Sequence, residues 1–131
     1  MLMSVDGRRP SSCGGIMSER LDKLRRGVEA VTAGRLEEVR DSVYAFSDDA
    51  AYHIPGRDLT IRGRADIEAL LKGMGGVASI RLRDMIEHGT AVLATADIDN
   101  KMPEMEYQGP LAIVWRFNES DEIVEQWNFR G

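Results

Sequence analysis

Between Phe46 and Ile67 the hydrophobic repeat of this chain changes period. Before that point apolar residues return every three or four positions, as Leu21, Leu24, Val28 and Val31, then as Leu36, Val39, Val43 and Phe46. That spacing lays one stripe along each of two helices. After it, long stretches alternate apolar and polar residues, the two-residue repeat of strands with one buried face. The junction reads Phe46-Ser47-Asp48-Asp49-Ala50-Ala51-Tyr52-His53-Ile54-Pro55-Gly56. It predicts the end of a helix, a short strand over Ala50 to Ile54, a Pro-Gly turn, and a return strand from Leu59 to Arg62. A third helix begins near Arg64, carries Ile67, Leu70, Leu71 and Met74, and stops at Gly75-Gly76. Helices first and a meander of long strands afterwards define an α+β fold: a curved sheet, mixed or antiparallel, wrapped around three N-terminal helices.

Ser18 is the expected N-cap of the first helix, with Glu19 and Asp22 favourable in its first turn, and Gly34 stands where a C-terminal glycine belongs. The later strands are expected over Ile80 to Glu87, Thr90 to Ile98, Glu106 to Phe117 and Ile123 to Phe129. Residues 1–17, with Gly7, Arg8, Arg9, Pro10, Gly14 and Gly15, have the composition of a disordered tail. Met17 is an alternative start to Met1. Residues 18–131 then form one domain, long enough to bury a core without metal or disulfide. The net charge of −5 and pI of about 5.1 argue against nucleic acid or an anionic membrane as partner. Cys13 is the single cysteine, which excludes an internal disulfide and any multi-cysteine metal site. No apolar run reaches the roughly 18 residues of a membrane span, and no signal-peptide core opens the chain, so a cytoplasmic location is expected.

The order of these signals resembles the SnoaL-like branch of the NTF2-like superfamily. It consists of two helices, a short strand ending in aromatic-His-x-Pro-Gly, a Gly-Arg-x-x-Ile helix, and long strands closing on Ile123-Val124-Glu125-x-Trp127. The resemblance covers residues from about 19 to 130. It implies a cone, a sheet wrapped around helices with an apolar pocket inside and a dimer through the outer sheet face. The superfamily includes ketosteroid isomerases, polyketide cyclases and limonene epoxide hydrolases, together with non-catalytic binding and dimerisation modules. Alignment on the shared Phe-x-Asp-Asp-Ala run places the isomerase's base aspartate at Ile54, its oxyanion-hole tyrosine near Gly27 and its protonated aspartate near Ile113. None of the three can donate or accept a proton. The Asp-Arg-Asp set of the epoxide hydrolases has no counterpart at recognisable spacing.

Strand parity supplies the remaining candidates. Asp84 shares a phase with Ile80, Leu82 and Ile86, and a carboxylate facing a pocket becomes a usable acid or base; its alternative is a rim or structural position. His53 is the obvious neutral-pH proton carrier, or else an imidazole satisfied within its short hairpin. Tyr52 shares a phase with Ile54 and could offer its phenol to a ligand oxygen, or simply pack its ring and wet its hydroxyl. Ile54, Ile113, Trp115 and Phe117 would line the pocket or serve as plain core. In the last strand, hydrophobicity turns Trp127 and Phe129 inward, whereas the resemblance turns Gln126 and Asn128 inward as ligand-orienting amides. The second choice leaves Trp127, Ala112, Val114 and Leu93 as an apolar outer patch and implies a homodimer. The combined expectation is a pocket for a small apolar, oxygen-bearing molecule, with no cofactor and no metal. Its activity is either acid/base isomerisation, cyclisation or hydration by Asp84, His53 and Tyr52, or binding without turnover.

Overall fold

The computed structural model describes residues 19–35, 46–103 and 105–130. The predicted tail over residues 1–17, and the second helix over Leu36, Val39 and Val43, fall outside them. The described residues form two α-helices and six strands: α1 (Glu19–Ala33), β1 (Phe46–Ile54), β2 (Leu59–Arg62), α2 (Arg64–Met74), β3 (Ala78–His88), β4 (Ala91–Asn100), β5 (Tyr107–Phe117) and β6 (Ile123–Arg130). The strands form one sheet in the order β2-β1-β6-β5-β4-β3. Every neighbouring pair is antiparallel except β1 and β6, which run parallel. The sheet is therefore mixed and curved, as expected, and both described helices lie against one face of it. Phe46 is a correction. It opens β1 rather than closing a helix, so that strand begins four residues before the predicted Ala50.

α1 buries Leu24, Gly27, Ala30 and Val31. It ends in a Schellman turn: Gly34, at φ +76°, donates to Val31 O, and Arg35 donates to Ala30 O. The end of α2 packs directly against this turn. A Cβ on Gly75 would lie 2.8 Å from Gly34 Cα, so the missing side chain at Gly75 is what allows the helix ends to touch. At its other end α1 is held by Arg20, which donates to Glu87 Oε2 (2.9 Å), Gly89 O (3.0 Å) and Asp121 Oδ1 (2.5 Å). Its guanidinium lies 4.6 Å above the ring of Phe117. One arginine thereby fixes α1 to both the β3–β4 and the β5–β6 turns.

Irregularities in the ladder do what simple alternation cannot. The register of β3 on β4 shifts between Leu82 and Met85, that of β6 on β5 between Ile123 and Glu125, and that of β1 on β6 between Phe46 and Ala51. Each shift bends the sheet and resets which residues face inward. The core lies between the concave face and the helices. Ile67, Leu71 and Met74 come from α2, Val92, Ala94, Ala96 and Ile98 from β4, and Leu111, Ile113, Trp115 and Phe117 from β5.

Candidate functional site

The core is hollow at one point. A cavity of about 60 Å³ opens between α1 and the sheet, with Leu24, Gly27, Val28 and Val31 on the helix side. Phe46, Tyr52, Ile113, Trp115, Gln126 and Asn128 lie on the sheet side. A second compartment of about 30 Å³ adjoins it and is lined by Ile54, Asn100, Met105, Tyr107 and Arg130. Tyr52, Met74, Ile98, Leu111 and Asn128 border both, so they form the partition.

β6 makes this place unusual. Beyond Ile123 its inward side chains are Gln126, Asn128 and Arg130, all polar, while Trp127 and Phe129 face outward. The register supports the assignment. Gln126 pairs with Tyr52 on β1 and with Trp115 on β5, and Asn128 pairs with Ile113. The alternative drawn from hydrophobicity alone, with Trp127 inward, is corrected. The bulge at Val124 keeps Ile123 and Gln126 on the same buried side, which strict alternation forbids.

These side chains form a relay. Gln126 Nε2 donates to Asn128 Oδ1 (3.2 Å), and Asn128 Nδ2 donates to Tyr52 Oη (2.5 Å). Tyr52 is 2% exposed. Burial pushes its phenol up from 10.0 to about 12, against the smaller opposing pull of the Asn128 hydrogen bond. Tyr52 is therefore a neutral donor, not a base. Among the described residues nothing accepts its hydroxyl hydrogen. A donor polarised by two amides in an apolar cavity is suited to holding a carbonyl or hydroxyl oxygen.

The other candidates are placed elsewhere. Asp84 is exposed. The bulge after Leu82 turns Met85 inward in its stead, and the Asp84 backbone N–H meets Thr95 Oγ1 at 3.3 Å. The expectation that it shares the apolar face is corrected. His53 lies on the outer face, because Tyr52 and Ile54 point inward. Its Nδ1 is 3.1 Å from Thr60 Oγ1, its Nε2 3.1 Å from Glu125 Oε2, and its ring stacks on Trp127 with centroids 5.2 Å apart. Arg116, hydrogen-bonded to Glu125, holds that carboxyl below its ordinary range, and His53 adds to the effect. His53 is thus the satisfied imidazole of its hairpin. Ile54 borders the second compartment, and Ile113, Trp115, Gln126 and Asn128 border the first. Phe117 is buried beneath Arg20 and lines neither.

Arg130 and Asn100 went unnoticed in the sequence. Both follow from extending a recognised phase by one step: Gln126 and Asn128 lead to Arg130, and Ala96 and Ile98 lead to Asn100. No carboxylate, imidazole, ammonium or thiol lines either compartment among the described residues. No described helix is long and apolar enough to cross a membrane.

Comparison with known proteins agrees with this geometry. The sequence profile of the SnoaL-like domain matches residues 24–126. An NTF2-like protein of unknown function from Burkholderia xenovorans LB400 superposes with a TM-score of 0.66 at 20% identity, over 86% of this chain and 83% of that one. An LEH-like epoxide hydrolase from M. tuberculosis gives a TM-score of 0.69 at 19% identity, over 86% and 83%. A de novo designed protein with a curved β-sheet gives 0.68 at 12% identity, over 88% of each chain. At such identities these likenesses speak of fold alone. The profile match over most of the chain carries the assignment: this chain belongs to the SnoaL-like domain family.

Proposed function

We propose that this chain binds a small apolar molecule bearing one carbonyl or hydroxyl oxygen, held by a hydrogen bond from Tyr52. The observation that carries this reading is a buried phenol whose oxygen is occupied by Asn128 and whose hydrogen is not taken up by any described residue. Ile113 and Trp115 supply apolar wall, and Gln126 and Asn128 orient the donor. At about 60 Å³ the main cavity is smaller than the ~150 Å³ that admits benzene. A ligand of that size enters by displacing Met74, an unbranched side chain in the partition. Cyclohexanone or cyclohexanol is expected to raise the melting temperature of the wild type and to lose most of that effect in Tyr52→Phe. Equal stabilisation of both proteins would remove Tyr52 from the site.

A second reading is a cofactor-free isomerase, cyclase or hydratase. It draws on the same donor, which would stabilise an enolate-like oxygen. It also needs a proton acceptor, and neither His53 nor Asp84 borders the cavity. Exchange of the α-hydrogens of cyclohexanone in D2O, followed by NMR, separates the two. Acceleration over buffer supports catalysis, and its absence leaves binding.

The outer sheet face is the proposed homodimer surface. Leu93 is 45% and Phe129 42% exposed, beside Val114 and Trp127, which pair across β5 and β6. Apolar side chains concentrated on the solvent side of a sheet are explained by a covering partner.

A further inference from the structure

The compartment beyond Tyr52 has a chemistry of its own. Arg130 follows Gln126 and Asn128 on the inward side of β6, one strand repeat of about 7 Å past the relay. The arginines at 26, 64, 83 and 116 each hold a carboxylate of this chain, namely Asp22, Asp48, Asp97 and Glu125. Arg130 holds none among the described residues. Its guanidinium lies 4.7 Å from the ring centroid of Tyr107, and its Nη2 reaches only Met105 O, at 3.4 Å. Beside it Asn100 is 4% exposed. The Asn100 Oδ1 accepts from the Met102 N–H (2.9 Å), which leaves its –NH2 donors for the compartment. A guanidinium fork and an amide donor bordering a space of about 30 Å³ match one planar carboxylate.

We infer that the ligand is an oxo- or hydroxy-acid: its carboxylate sits on Arg130 and Asn100, and its oxygen on Tyr52, with about one ring's width between them. This rests on the Tyr52 pocket proposed above and names the other end of the molecule that fills it.

The test is titration calorimetry of the full chain with 4-oxocyclohexanecarboxylate, its uncharged carboxamide, and cyclohexanone. The acid is expected to bind wild type at least tenfold more tightly than the carboxamide. Arg130→Gln should abolish that preference while leaving cyclohexanone affinity unchanged. Arg130→Lys, which keeps the charge but not the fork, should retain only part of it. The acid–carboxamide comparison needs no variant, so a folding defect in Arg130→Gln does not decide the matter. If cyclohexanone binds in a Tyr52-dependent way and the acid gains nothing, the carboxylate site is refuted and the pocket stands. If none of the three binds, the pocket reading falls and this inference with it.

Discussion

The two faces of β6 differ in the opposite sense from most half-buried strands. Toward the core, past Ile123 and the bulge, it presents Gln126, Asn128 and Arg130; toward solvent it presents Trp127 and Phe129 beside Leu93 and Val114. The neighbouring strand keeps the usual apolar inner face. β5 turns Leu111, Ile113, Trp115 and Phe117 inward, and Arg116 outward. Burying amides forgoes hydrophobic stabilisation, and exposing aromatic rings forgoes it again. A strand that does both at once fits the two contacts proposed above: a polar ligand group inside the hollow and an apolar surface outside.

The inner face can be broken first at its conventional member. Trp115→Ala, at a 3% exposed position, should lower unfolding free energy by about 3–5 kcal/mol in urea titration. The polar member should respond in a different manner. Tyr52→Phe strands the Asn128 amide and should lose about 1–3 kcal/mol, whereas adding Asn128→Leu should recover part of it, because no unpaired donor then remains. The same residue makes a pH prediction. A phenol raised from 10.0 to about 12 contributes stability that is complete below pH 10 and lost as pH rises through about 12. Tyr52→Phe should flatten that alkaline limb in pH-dependent denaturation.

On the outer face, Leu93→Asp combined with Phe129→Asp should change folding stability by less than about 1 kcal/mol yet shift sedimentation from dimer to monomer. A wild type that sediments as a monomer at all concentrations would leave the exposed rings without a covering partner. The smallest effect belongs to Glu125. Its carboxyl is held down by Arg116, so the stability it contributes is present above its ordinary value of 4.5 and lost as pH falls below that through the folded value. Glu125→Gln should remove this acid limb and alter neutral-pH stability by no more than about 1 kcal/mol.

Much of the scaffold was legible from periodicity. α1 and its closing Gly34, the stripe of α2, and the inward phases of β4 and β5 all follow from spacing, because each buries one continuous apolar face. The errors have one cause. Asp84 and the start of β1 were misplaced because bulges and register shifts belong to a pair of strands, and no single strand's pattern reveals them. Of the site, Tyr52 was readable through its phase with Ile54. Gln126 and Asn128 were readable only through family resemblance, since hydrophobicity argued for their neighbours. Arg130 escaped because a charged residue at the end of a strand looks like ordinary solvated surface.

The parallel pairing of β1 with β6 has a consequence for how the protein is made. The relay joins Tyr52 to Asn128 across 76 positions of sequence, so its halves meet only after β6 has been synthesised and inserted between β1 and β5. The proposed site is therefore complete only once β6 is in place, and pairing across so long a stretch of sequence is intrinsically slow. Until then the nascent sheet has two open edges where its centre will be, a window in which a chaperone or an aggregating neighbour can compete for the gap.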